Sequence, residues 1–346
     1  MEYRIDAFSR YSSESQRVVA NLEQAYLAWV ETRRQLEAMP VSMYWVDKTG
    51  VEYLGAKWHS KDSGTTIGRR SDATTRQYDD FIEEKKRLKA RLAALDAQLA
   101  ERVGLYRRLR LPSLPDRQAE ILRRLDIEGM LGTDLMVVGT NAFAAYELAC
   151  GARFPVGNEE TEDFDLAWCR DTKASLISTG RPADAASKTL FSVLRGIDSS
   201  YRISPRRPYQ AVNDAGYEVE LLAAPSTHPL PAAEAFDPMA SLIEQEWLLI
   251  GSPVSHVVAT LRGRACPLYV PDPRWMALHK LWLAEKPERK ASKREKDRRQ
   301  GEVLLDAVRH FLVHSHPLDV GFVLDLPQEL RSHFDAWAGA RGYVPE

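Results

Sequence analysis

The stretch Leu135-Met136-Val137-Val138-Gly139-Thr140-Asn141-Ala142-Phe143-Ala144-Ala145-Tyr146 narrows the choice of fold more than any other in the chain. An apolar run ends in Gly-Thr and a helix-like segment follows at once. A strand that stops at a glycine and turns directly into a helix leaves unpaired backbone N–H groups at the turn, and such groups bind anions. Gly139 permits close approach of a phosphate, and the Thr140 hydroxyl can donate to it. No GK[ST] follows, so this is not a P-loop, and GxGxxG is absent, so it is not a dinucleotide fingerprint.

The second informative stretch is Glu162-Asp163-Phe164-Asp165-Leu166. In a strand, residues two apart share a face. Asp163 and Asp165 then project together while Phe164 and Leu166 point into a core. Adjacent carboxylates repel unless cations lie between them. Mg²⁺ prefers oxygen ligands and leaves room for water and substrate phosphate. Two such ions about 3.5–4 Å apart can hold both oxygens of an in-line phosphoryl displacement. Tyr217-Glu218-Val219-Glu220-Leu221-Leu222 is a third acidic strand, on which Glu218 and Glu220 share a face and either can supply a further ligand.

With 346 residues and 44% hydrophobic content the chain can form two or three domains with buried cores. The net charge of -2 means that nucleic-acid affinity must come from local patches. Cys150, Cys169 and Cys266 are far apart and form no CxxC, as expected of buried thiols in a reducing, cytoplasmic setting. No apolar run approaches the ~18 residues of a membrane span, and the start reads as no signal peptide. His279, His310, His314 and His316 lack zinc-ligand spacing.

The pattern predicts a helix over 15–38, with Val18, Leu22, Ala25, Trp29 and Leu36 on one stripe and Pro40 ending it. A hairpin over 42–54 turns at Asp47-Lys48-Thr49-Gly50. Residues 61–75 read as a loop, either phosphate-touching or merely solvated. A long helix over 76–110 places Leu88, Leu92, Leu95, Leu99, Val103 and Tyr106 on a coiled-coil-like seam. That seam fits an antiparallel pair with the first helix, or a homodimer contact. Leu111-Pro112-Ser113-Leu114-Pro115 breaks the helix, and a short helix over 119–126 follows. Beyond the central strands come a helix over 185–196, a hairpin of 209–212 with 217–222, helix around Glu244, and strands around 254–261 and 267–270. Asp272-Pro273 opens a helix as N-cap and first residue. The run Lys286 to Arg299 carries eight cations against three anions. It fits either a solvated face or a patch for triphosphate or RNA backbone. Within it, Lys293 and Asp297 stand i, i+4 and can pair with each other.

The order Val-Val-Gly-Thr-Asn-Ala, Glu-Asp-Phe-Asp-Leu, Val-Glu-Leu-Leu resembles the polymerase-β-type nucleotidyltransferase superfamily, closest to a bacterial family of nucleotidyltransferase-fold proteins. It is also similar to abortive-infection nucleotidyltransferase toxins, which share a Gly-Thr turn, a later Asp-x-Asp and a Lys-bearing C-terminal helix. The resemblance implies an α+β fold: a small mixed sheet flanked by helices, with helical N-terminal and C-terminal regions, divided at 1–128, 129–268 and 269–346. It implies Asp163, Asp165 and Glu220 as catalytic and metal-binding residues, Glu220 matching the third carboxylate better than Glu218. Gly139, Thr140, Asn141, Lys280 and Lys293 would contact the nucleoside triphosphate, with Mg²⁺ or Mn²⁺ as cofactor. The implied reaction moves NMP from an NTP to a hydroxyl, RNA such as a tRNA end being favoured, with release of pyrophosphate. The alternative is a non-catalytic nucleotide- or RNA-binding protein, or a toxin–antitoxin component, on the same fold.

Overall fold

The computed structural model describes residues 3–61, 63–156, 163–169, 189–227, 233–237 and 242–346, together with the backbone but not the side chain of Asp163. The chain divides into two compact units, Asn21–Gly104 and the pair of segments Met1–Ala20 and Leu105–Glu346. Among the described residues no helix is long and apolar enough to cross a membrane.

Strand β1 (Ser9–Arg10) precedes helix α1 (Ser13–Glu37). The smaller unit continues with strands β2 (Ser42–Lys48), β3 (Val51–Lys57) and β4 (Thr65–Arg69) and helix α2 (Asp72–Arg108). The β2–β3 turn is two residues, Thr49 and Gly50, both at positive φ (56° and 79°). That turn matches the twist of paired strands. Part of the stretch expected as a loop, 65–69, forms β4, antiparallel to β3 with a register shift between Leu54 and Gly55. Its Gly, Thr and Arg residues carried no apolar alternation, and pairing with β3 supplies the order that composition did not announce.

The α2 seam is filled from within the chain. Leu88, Leu92, Leu99 and Val103 are buried, as are Leu22, Tyr26, Trp29 and Val30 of α1. The Trp29 indole donates to Asp96 at 2.7 Å, and Lys85 Nζ donates to the Pro40 and Val41 carbonyls at 2.7 Å each. As one contact moves up α1 the other moves down α2, so the pair is antiparallel.

The larger unit continues with β5 (Ser113–Leu114), α3 (Asp116–Ile127), β6 (Leu135–Val137), a 3₁₀ turn (Gly139–Ala142) and α4 (Phe143–Cys150). Then come β7 (Ala152–Arg153), β8 (Asp163–Trp168), α5 (Leu190–Ile197), β9 (Arg202–Ser204), β10 (Arg207–Val212) and β11 (Glu218–Leu222). The start of the helix expected over 185–196 lies outside the described residues. A 3₁₀ segment (Ile243–Leu249) leads to β12 (Val254–Thr260) and β13 (Ala265–Val270). Helices α6 (Pro273–Ala284), α7 (Ala291–Phe311), α8 (Val320–Asp325) and α9 (Gln328–Arg341) follow.

The central sheet runs β6-β8-β11-β10-β9, parallel between β8 and β11 and antiparallel elsewhere. The result is the α+β architecture of a small mixed sheet flanked by helices. Phe164, Leu166, Val219 and Leu221 are fully buried on one face of the parallel pair. Alternation therefore turns Asp165 and Glu220 to the other face. Asp272 caps α6, accepting from Arg274 N at 2.9 Å with Pro273 in the first turn. A Cβ at Gly301 of α7 would lie 2.7 Å from Leu281 and 2.8 Å from the Ala277 carbonyl of α6. Glycine there lets the two helices approach almost backbone to side chain.

Candidate active site

Parallel pairing of β8 with β11 sets the acidic centre. Asp165 stands in register beside Glu220, and Asp163 beside Glu218. Two chain segments over fifty residues apart thus place their carboxylate-bearing positions on one face, about 4.8 Å apart across the ladder. The Asp163 side chain lies outside the described residues. Gln210 of β10 pairs with Glu220, is nearly fully buried, and donates to Glu218 at 2.6 Å and Glu220 at 3.1 Å. Its one amide nitrogen holds both glutamates.

Gly139 follows β6 and the Val138 link, with φ at +74°. Val138 N donates to the Asp165 carbonyl at 3.1 Å. A Cβ at 139 would stand 2.5 Å from Asp165 Oδ2. The glycine is thus required twice, once by its backbone conformation and once by the carboxylate against it. The expected helix does not begin at once: one 3₁₀ turn intervenes before α4. Thr140 Oγ1 accepts from Gln300 of α7 at 3.3 Å, and Asn141 is buried.

A basic wall lines the same cavity as the acids. Lys280 of α6 is 4% exposed, and its ammonium donates to Asp297 Oδ1 at 2.8 Å. Arg289 binds the other oxygen of Asp297. Asp297 is therefore shared by Lys280 and Arg289. Elsewhere in the basic run Arg298 pairs with Glu295 at 3.0 Å, and Lys286 lies 3.6 Å over the Trp282 ring. The run is thus divided between internal contacts and exposed charge rather than forming one uniform patch.

These elements enclose a cavity of about 240 Å³ whose wall includes Gly139, Asp165, Glu220, His279, Lys280, Arg289 and Lys293. Thr140 and Asn141 neighbour the turn but are not part of that wall. His279 is fully enclosed, stacked on Trp282 at 22° and edge-on to Trp247. Burial, and then the Lys280 charge, push its pKa down to about 3, so the imidazole is neutral. Neither ring nitrogen has a hydrogen-bond partner among the described residues.

Residues 116–319 match a family model described as Nucleotidyltransferase. The chain belongs to this nucleotidyltransferase family. No curated protein and no solved structure matches it. The family match spans α3 through α7, ending just before α8, and takes in every wall residue named above. It leaves out the smaller unit.

In this nucleotidyltransferase the oxygen donors of Asp165 and Glu220 suit a hard divalent cation. Mg²⁺ is commonly bound by one or two carboxylates completed by water and substrate phosphate. Among the described residues no group of three or more His, Cys, Asp and Glu side chains stands ready to hold a metal. The Asp163 side chain, which would add a third carboxylate beside Asp165, lies outside those residues. Gln210, Arg289 and Gln300 were not singled out by the sequence. Gln210 alone left a trace: counting back across the β10–β11 hairpin puts it opposite Glu220. Arg289 and Gln300 reach the site only through the crossing of α6 and α7.

Proposed function

We propose that this nucleotidyltransferase moves a nucleoside monophosphate from an NTP to a hydroxyl acceptor and releases pyrophosphate. The observation that carries the reading is the in-register Asp165–Glu220 pair sharing one cavity with Lys280, Arg289 and Lys293. An NTP carries most of its charge on the β- and γ-phosphates, which suits the basic wall. Its α-phosphate must then face the acidic wall, where the acceptor oxygen enters.

In the proposed reaction the acceptor oxygen forms a bond to the α-phosphorus, and the bond from phosphorus to the bridging oxygen of pyrophosphate breaks. Asp163, Asp165 and Glu220 would hold Mg²⁺ or Mn²⁺. When bound, the metal would lower the pKa of the acceptor hydroxyl and offset charge on the phosphates. Gly139, with Thr140 and Asn141 beside it, would seat the triphosphate on exposed backbone N–H groups. Lys280, held by Asp297, keeps further N–H donors that can turn towards a phosphate, and Lys293 adds an exposed charge at the cavity wall. Gln210 would fix the position of Glu220. Positioning and charge neutralisation then supply most of the rate.

RNA, a tRNA end in particular, is the acceptor we favour, because exposed cations such as Lys290 and Lys293 sit beside the cavity. Each α-labelled NTP, incubated with Mg²⁺ or Mn²⁺ and total bacterial RNA and protein, tests the reading. Label entering RNA, and lost in Asp165→Asn, supports it. NTP binding with no transfer from any nucleotide refutes RNA as the acceptor and favours a nucleotide sensor on the same fold, or a small-molecule acceptor absent from the mixture.

A further inference from the structure

The smaller unit lies outside the family match, yet its sheet has an unusual division of faces. Pairing of Trp45 with Leu54 and of Met43 with Ala56 defines the inner face. Leu54 and Ala56 are buried, and Trp45 packs against Tyr78 of α2 at 5.8 Å between ring centroids. The opposite face carries Tyr44, Val46 and Lys48 of β2, Val51, Tyr53 and Lys57 of β3, and Arg69 of β4. Among the described residues of β2, β3 and β4 this outer face holds three cations and no carboxylate. Asp47 and Glu52 pair with each other on the other face, at the hairpin end.

The cations are interleaved with the rings. Lys48 Nζ lies 5.6 Å and the Arg69 guanidinium 5.9 Å from the Tyr53 ring centroid, and Lys57 Nζ lies 5.9 Å from that of Tyr44. Arg69 Nε also donates to the Tyr53 hydroxyl at 3.2 Å. Tyr44 lies across Gly55, where a Cβ would come within 2.9 Å of its ring, so the glycine lets the ring lie down on the sheet. A sheet with aromatic rings laid on it and cations around them meets the two needs of an unpaired polynucleotide. Bases stack on rings, and phosphates pair with the flanking charges.

We propose that the outer face of β2–β4 binds single-stranded RNA through Tyr44 and Tyr53 and through Lys48, Lys57 and Arg69. The inference rests on RNA being the acceptor in the reaction proposed above, and assigns where that RNA is held. A duplex cannot offer its bases to the rings, so single strands or unpaired ends are the ligand. An acidic polypeptide could satisfy the cations but gains nothing from stacking.

The test uses the full chain and a fluorescein-labelled oligouridylate of about 12 nucleotides, followed by anisotropy at several salt concentrations without NTP or divalent metal. Replacing Lys48, Lys57 and Arg69 with Gln should lower the log–log salt dependence by about 2, at ~0.7 per phosphate contact. The affinity lost between 50 and 200 mM salt then shrinks about 20-fold relative to the unaltered chain. Tyr53→Ala should weaken binding about tenfold, while Tyr53→Phe, which keeps the ring, should bind like the parent. Matching melting temperatures for Tyr53→Phe and the Gln variant show that the sheet is intact. Unchanged affinity and salt dependence in the Gln variant overturn the proposal. So does a polyglutamate that competes as well as unlabelled oligouridylate regardless of Tyr53. RNA bound through this face with no nucleotide transfer refutes the catalytic reading and leaves the surface standing. Transfer to RNA with no effect of these variants does the reverse.

Discussion

Gly139→Ala separates what the glycine does for the fold from what it does for Asp165. The residue sits at φ +74°, where an L-residue costs about 1–2 kcal/mol. The added methyl would stand 2.5 Å from Asp165 Oδ2, where ordinary contact begins near 3.4 Å. Asp165 has a short side chain on a strand whose carbonyl accepts from Val138 N at 3.1 Å, so its carboxylate must swing by about 0.9 Å. The strain alone predicts a melting temperature lower by about 2–4 °C for a unit of this size. A displacement near 1 Å at a group that positions reacting atoms costs about 100-fold in rate. Pyrophosphate release at saturating NTP, with thermal unfolding alongside, measures both. Gly139→Ala should therefore lose about two orders of magnitude in kcat while remaining folded, approaching Asp165→Asn. If it retains kcat within threefold of the parent, the carboxylate against Gly139 is not where catalysis needs it, and the reasoning fails.

Gln210→Leu removes the donor shared by Glu218 and Glu220, and by analogy with other groups that orient metal ligands should raise the Mg²⁺ concentration for half-maximal rate about 10- to 100-fold, read from a metal titration. Lys280→Met leaves buried Asp297 with Arg289 alone and should destabilise the protein by about 3 kcal/mol in urea unfolding. Adding Asp297→Leu should recover much of that stability, but not NTP affinity, if the ammonium itself contacts phosphate. His279, at about 3 in the folded protein, is neutral where the unfolded chain's imidazole begins to charge near 6.5. The unfolded chain binds the extra proton, so His279 lowers stability as pH falls, by about 2 kcal/mol between pH 6.5 and 5. In His279→Phe that part of the pH dependence should vanish from urea midpoints measured across this range, and an unchanged slope refutes it.

The legible parts of the chain were those whose chemistry is local. Gly139 with its apolar strand, the capped start at Asp272-Pro273 and the Thr49-Gly50 turn each state their geometry within a few residues. The α2 seam was legible as a stripe, and its partner was recoverable because α1 carried a complementary one. The acidic residues were legible as pairs within strands, but nothing in 163–165 or 218–220 states that the two strands run parallel and in register. That fact, not the count of carboxylates, puts Asp165 beside Glu220 rather than Glu218. β4 escaped notice because its order comes from β3. The basic run read as one electrostatic object, whereas folding turns Arg289 inward to Asp297 and Arg298 to Glu295. Charge counted along a sequence cannot know which cations will spend themselves on neighbours.

The division of Asp297 between two cations also bears on how the basic wall works. A buried carboxylate beside Lys280 cancels charge that the proposed triphosphate substrate would need. Without it, however, Lys280 at 4% exposure would be a desolvated ammonium with no counter-charge against it. Asp297 pairs with Lys280 and fixes its nitrogen at 2.8 Å, while Arg289 supplies the second charge, so the cluster stays net positive. Gly301, one turn further along α7, makes this possible by letting α7 close on α6. A methyl there would part the helices, and the Lys280–Asp297 contact spans that same crossing. The acidic wall is built by strand register and the basic wall by helix approach. The two can therefore be damaged independently: a Gly301→Ala chain should lose NTP affinity while its Asp165–Glu220 pair stays in register.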